Sequence, residues 1–137
     1  MLETMVWPMS DLTGKTFIIT GGNGGIGLGM AEGIVSAGGS VVIWGRNEGK
    51  NAEAVASLEA RGGKATAFVC DVTDEEQVVE TTQRSADAFG RLDGLFANAG
   101  RGGTNVPFLQ LSLEDWRAVM DTNLDGVFLC MREAARF

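Results

Sequence analysis

A chain of 137 residues, 45% apolar and 21% charged, has room for one domain with a packed core, and its 20 glycines follow no collagen-like period. A net charge of −7 and a pI near 4.5 exclude a general binder of nucleic acid or of a membrane surface, which would carry a basic patch. With neither histidine nor tyrosine, the chain lacks the commonest metal ligand and two of the usual proton donors, so no metal site is expected.

The opening "MLETMVWPMS" has no basic start and no apolar core segment, so it does not read as a signal peptide. No apolar run approaches membrane-spanning length, and a cytoplasmic location is the default expectation. Residues 1–13 read as a leader and 14–137 as part of one domain, without a linker to a second.

Four short apolar runs rich in Val, Ile, Phe and Thr predict strands at Thr16–Thr20, Val41–Trp44, Ala65–Cys70 and Leu92–Ala97. Three are nearly continuous, as strands covered on both faces must be. The first helix is predicted from Gly25, with Ile26, Met30, Ile34 and Val35 on its apolar face and a stop at Gly38-Gly39. The second runs from an Asn47 cap through Ala52, Val55 and Leu58 to Gly62-Gly63. Thr73 and Glu76 have the spacing of a capping box for the third, which carries Val78, Val79 and Phe89 and ends at Gly90. A fourth starts at Ser112, with Leu113, Trp116, Val119 and Met120 apolar. A fifth starts about Asn123 and runs to Phe137. Trp116 and the methionines read as core residues, and Cys70 and Cys130 as buried, reduced thiols. Alternating strands and helices predict right-handed crossovers and an α/β, doubly wound, Rossmann-like parallel sheet, here extending through the fifth helix.

The stretch "TGGNGGIGLGM" (Thr20–Met30) lies between a predicted strand and a predicted helix. There the helix's unpaired amides and positive dipole end bind phosphate, and glycine lets a pyrophosphate approach without meeting a Cβ. Gly22-x-Gly24-x-x-Gly27 is a literal G-x-G-x-x-G, and Thr20-Gly21-x-x-x-Gly25-x-Gly27 fits a second register. The loop residues Gly21, Asn23, Gly24, Gly25, Ile26 and Gly27 are therefore the expected cofactor contacts; a merely flexible turn is the alternative. A triphosphate P-loop is set aside: "GKT" at Gly14–Thr16 precedes the strand, and position 9 is Met where that motif needs Gly. A dinucleotide fold for NAD places an acid at the end of the second strand, to bind ribose hydroxyls. This chain reads Trp44-Gly45-Arg46-Asn47 instead. A guanidinium suits a 2′-phosphate, so NADP is expected over NAD unless Arg46 is simply a solvated surface residue.

These residues resemble the short-chain dehydrogenase/reductase family, in its compact single-domain branch, and the resemblance covers nearly everything after residue 13. Thr20-Gly21-x-x-x-Gly25-Ile26-Gly27 resembles that family's cofactor loop, and Asp71-Val72 its adenine-holding pair. Ala97-Asn98-Ala99-Gly100 is similar to its N-N-A-G, with alanine in the first place, and "DTNLDGVFLC" resembles the start of its long fifth helix. The resemblance implies cofactor contacts from Asp71, Val72, Asn98, Ala99 and Gly100, and a catalytic part for Asn123, whose backbone carbonyl would hold a water linked to a lysine. Plainer roles stay open. Asp71 could be a helix N-terminal charge, Asn98 a purely structural bridge, and Asn123 a helix cap.

The resemblance also implies hydride transfer between a nicotinamide cofactor and a small carbonyl or alcohol substrate. The family's serine, tyrosine and lysine would then lie beyond Phe137, in a coding sequence that continues into Ser and Tyr-x-x-x-Lys. It implies a homo-oligomer, a dimer or tetramer, when full length. The 137 residues alone are expected to be inactive, as the cofactor-binding half of such an enzyme. An inactive dinucleotide-binding module, or a non-binding fragment, is the alternative.

Overall fold

The computed structural model describes residues 11–137; the opening "MLETMVWPMS", and with it the signal-peptide expectation and the first ten residues of the expected leader, lies outside the described residues, while Leu12, inside that leader, packs against the core and donates its amide to the Ala37 carbonyl at 2.8 Å. β1 (Thr16–Thr20) and β2 (Ser40–Gly45) form the middle of a parallel sheet whose order is β3-β2-β1-β4, with β3 at Lys64–Val69 and β4 at Gly94–Phe96. Ile18, Ile19, Val41, Val42 and Ile43 are fully buried. Burial of such side chains contributes about 1.5–3 kcal/mol each, which is why the two most apolar runs take the centre. The strand period of two divides them between two cores. Ile19, Val41 and Ile43 pack with α1 (Gly25–Ser36) and α2 (Glu48–Glu59) on one face. Ile18, Val42 and Trp44 pack on the other with Val78 of α3 (Glu75–Phe89) and Cys130 of α5 (Gly126–Ala134). This is the doubly wound architecture the sequence pattern predicts.

The register sets the carboxyl edge. Thr20 lies opposite Trp44, and Gly45 opposite Val69, so the loops after β1, β2 and β3 leave the sheet side by side. β4 starts later than its predicted run, because Asp93 pairs with β1 partly through its side chain. The Asp93 carboxylate accepts from the Thr16 amide at 2.9 Å while the Asp93 amide donates to the Thr16 carbonyl at 2.8 Å.

Several helical expectations are corrected. The α3 cap is Asp74, which accepts from the Gln77 amide at 3.1 Å, and not Thr73, because the Asp71 carboxylate takes both the amide and the hydroxyl of Thr73. The inward face of α2 is Asn51, Ala54 and Leu58, so Ala52 is exposed and Val55 only half-buried at its flank. Ile26 is 76% exposed, because the first turn of α1 overhangs the sheet edge and finds nothing to pack on. Val79 is also exposed. The predicted fourth and fifth helices are continuous: α4 (Leu113–Met120) passes through a π turn at Asp121–Asp125 into α5, which closes at Ala134. Asn123 is thus inside a helix and caps nothing. Trp116 and Met131 are exposed, since α4 has no buried residue and one side of α5 faces solvent; Met30 and Met120 are half-buried. Cys70 and Cys130 are buried and free, as expected. No helix among the described residues is long and apolar enough to cross a membrane.

Candidate functional site

The turn from β1 into α1 explains its glycines one by one. Gly21, with φ of 65°, and Gly25, with φ of 53°, hold left-handed backbone that side chains disfavour. Gly27 is required by space, since a Cβ there would stand 2.3 Å from the Gly21 carbonyl oxygen and 2.6 Å from the Asn98 amide nitrogen. At Gly24 a Cβ would meet nothing within 4 Å, so that side of the loop is open to a ligand.

The start of α1 differs from the other long helices. Asn47, Asp74 and Ser112 each accept from a first-turn amide of α2, α3 and α4, and each of these first turns carries an acid. α1 begins at Gly24 with no side-chain cap and no acid in its first turn. Its leading amides, which helix geometry leaves unpaired, and its positive dipole end therefore meet an uncapped crest at the sheet's carboxyl edge.

The neighbouring strand ends converge on that crest. Gly21, Asn23 and Arg46 line one cleft with Asp71, Val72, Ala99 and Gly100. Gly24, Gly25, Ile26 and Gly27 form the turn above it and are not part of its wall; nor are Asn98 and Asn123. Asn98 donates to the Thr20 and Gly21 carbonyls at 3.0 and 3.3 Å, while the Thr20 hydroxyl accepts from the Ala99 amide at 2.9 Å. These bonds fasten the loop after β4 to the loop after β1. Asn123 clasps the next residues: its side chain accepts from the Arg101 amide at 2.9 Å and donates to the Arg101 carbonyl at 3.0 Å.

Charge in the cleft is sparse. Arg46 is exposed and makes no ion pair among the described residues. Asp71 brings one carboxylate from the end of β3, with a single oxygen occupied by Thr73. Burial pushes the Cys70 thiol up to about 11, so it is a neutral part of the wall. Cys70, Trp44 and Thr122 also line the cleft, yet apolar strand residues and a mid-helix threonine carry no sequence signal for such a place. Asn51 is the other residue sequence reasoning passed over. It is buried beneath Asn23 and bonded to it.

Comparison with known proteins gives the chain's family. The family model described as short chain dehydrogenase matches residues 15–137. The chain belongs to that family. A 2,5-dichloro-2,5-cyclohexadiene-1,4-diol dehydrogenase of Sphingobium indicum is 44% identical over 124 residues, covering 90% of this chain and 48% of the relative. A 3-oxoacyl-[acyl-carrier-protein] reductase of Synechocystis is 36% identical, over 93% of this chain and 52% of the relative. Among solved structures, an NAD+-bound xylitol dehydrogenase superposes with a TM-score of 0.87 at 32% identity, over 93% of this chain and 49% of that one. A metagenomic short-chain oxidoreductase in complex with NADP gives 0.86 at 30% identity, over 93% and 57%. The chain spans about half the length of the curated relatives it matches.

Proposed function

We propose that the protein is an NADP-dependent oxidoreductase that transfers a hydride between the nicotinamide cofactor and a small carbonyl or alcohol substrate, and that these residues form its cofactor-binding part. One observation carries the reading. The uncapped start of α1 stands beside a β2 end that offers glycine and a guanidinium in place of a carboxylate. Family members accept either dinucleotide, as the NAD+-bound and NADP-bound neighbours illustrate, so the choice falls to such residues.

The donor set fits a dinucleotide. The amides of Gly25, Ile26 and Gly27 would hold the pyrophosphate, the open side of Gly24 would let it approach, and Arg46 would pair with the 2′-phosphate. Asp71 and Val72 would flank the adenine, and Ala99 and Gly100 would line the far wall with Asn98 bonded behind them. When bound, the cofactor supplies or accepts the hydride. The residues here orient it and shield it from water. Asn123 keeps its side chain on Arg101, which leaves its backbone carbonyl within the π turn for the water that the family resemblance implies. The exposed Leu124 of the π turn and Phe128 and Met131 of α5 support a homo-oligomer in the full-length protein.

The test uses the full-length protein and follows loss of reduced-nicotinamide fluorescence against a panel of ketones and aldehydes. Turnover with NADPH, and slower turnover with NADH, is expected. No turnover with either cofactor across the panel, or faster turnover with NADH, contradicts the assignment.

A further inference from the structure

We propose that Asn51 is a positioning residue for cofactor discrimination: through Asn23 it fills the space over the Cα of Gly45 and keeps that strand end free of a carboxylate. The inference rests on the dinucleotide reading above and deepens it. Asn51 is 3% exposed on the inward face of α2, where periodicity calls for an apolar side chain. A buried amide is costly unless its polar atoms are paired, so this one must be satisfied in full. Its two N–H donors go to the Gly45 carbonyl at 2.9 Å and the Phe68 carbonyl at 3.3 Å, at the carboxyl ends of β2 and β3. Those acceptors fix the amide's orientation, because an oxygen cannot face two carbonyls. Oδ1 of Asn51 must look the other way, where it accepts from Nδ2 of Asn23 at 2.7 Å.

Asn23 is thereby drawn across the end of β2. A Cβ built on Gly45 would stand 2.3 Å from Nδ2 of Asn23 and 2.5 Å from Oδ1 of Asn51. No side chain enters position 45 while this pair is in place. Position 45 ends β2, where a carboxylate would otherwise accept from ribose hydroxyls. The pair puts a neutral amide there, one whose Oδ1 and second N–H have no protein partner among the described residues and which lines the cleft with Arg46. A 2′-phosphate then meets a guanidinium and an amide with no competing negative charge from β2. Discrimination is accordingly a property of Gly45, Asn23 and Asn51 acting as a unit, with Arg46 as the charge.

The test measures dissociation constants for NADPH and NADH in the full-length protein and reads their ratio, which a general loss of stability does not move. Asn51→Leu keeps the volume of the site and releases Asn23; Asn23→Ala removes the same amide without touching the α2 core. Each is expected to shrink the NADPH preference about tenfold, roughly one charge-assisted hydrogen bond. The double variant is expected to lose no more than either alone. Gly45→Asp alone is expected to bind both dinucleotides poorly, and Gly45→Asp combined with Asn23→Ala and Asn51→Leu to bind NADH about tenfold better than Gly45→Asp. A ratio unchanged in both single variants, additive losses in the double, or a Gly45→Asp protein that already binds NADH as well as the triple variant would overturn the inference alone. A wild-type protein that binds neither dinucleotide overturns the proposed function, and this inference with it.

Discussion

Two alanine substitutions in one loop separate a glycine that the fold requires from one that only the proposed ligand would require. In Gly27→Ala the new methyl would sit 2.3 Å from the Gly21 oxygen and 2.6 Å from the Asn98 amide, both far inside contact distance. Overpacking of this kind costs about 1–3 kcal/mol. Moving Asn98 also weakens its bonds of 3.0 and 3.3 Å to the Thr20 and Gly21 carbonyls, worth about 1 kcal/mol each. A loss of roughly 2–4 kcal/mol follows, or about 1–2 M in a urea midpoint for a slope near 2 kcal/mol/M. In Gly24→Ala the methyl meets nothing within 4 Å, and the backbone at φ of 178° is extended. Only the small preference for glycine at a helix cap is lost, about 0.5–1 kcal/mol. On the proposed dinucleotide reading the same methyl would stand in the path of the pyrophosphate, so NADPH affinity should fall about 10- to 100-fold with the loss of one charge-assisted bond. The assay is urea unfolding and NADPH titration of both variants in the full-length protein. A Gly27→Ala protein as stable as wild type would show that the fold does not need that glycine, and a Gly24→Ala protein that binds NADPH unimpaired would show that no pyrophosphate passes there.

Arg46→Ala should weaken NADPH binding by roughly 1–3 kcal/mol and leave NADH nearly unchanged; equal losses for both would remove Arg46 from the 2′-phosphate. Burial pushes the Cys70 and Cys130 thiols up to about 11 and about 12, so both are protonated near neutral pH. A thiol reagent should react only slowly until urea unfolds the chain, and fast labelling of the native protein would contradict the burial. The Arg91 guanidinium, then the Thr16 amide and Lys15, holds the Asp93 carboxyl below its ordinary range against an opposing burial effect. A lowered folded value means the stabilisation is present above the ordinary carboxylate pKa, near 4, and is lost as pH falls through the folded one. Urea midpoints of wild type should therefore drop more steeply than those of Asp93→Asn below about pH 4, and parallel curves would rule this out.

What the sequence disclosed follows from which forces act locally. The β1 and β2 runs were legible because both faces are buried, and the Asn47 cap and the helix start at Ser112 because a side chain serves an amide three residues on. The capping box at Thr73 failed because Asp74 and Gln77 have equally good spacing, and only the fold brings the Asp71 carboxylate onto Thr73. The π turn has no composition of its own. Trp116 was misplaced because an apolar periodicity announces a face that wants covering and not what covers it. In the cleft, Gly21, Arg46, Asp71 and Ala99 were legible as strand ends, since a parallel sheet gathers its carboxyl ends by topology. Asn51 was not, because periodicity counts apolar residues and this inward position is polar.

A dinucleotide titration of the full-length protein by calorimetry shows whether the cleft holds a phosphorylated dinucleotide. Saturable one-site binding of NADPH, about 10- to 100-fold tighter than that of NADH, is the predicted result for a 2′-phosphate held by a guanidinium. Heat of dilution alone with both cofactors, or NADH binding as tightly as NADPH, would contradict it.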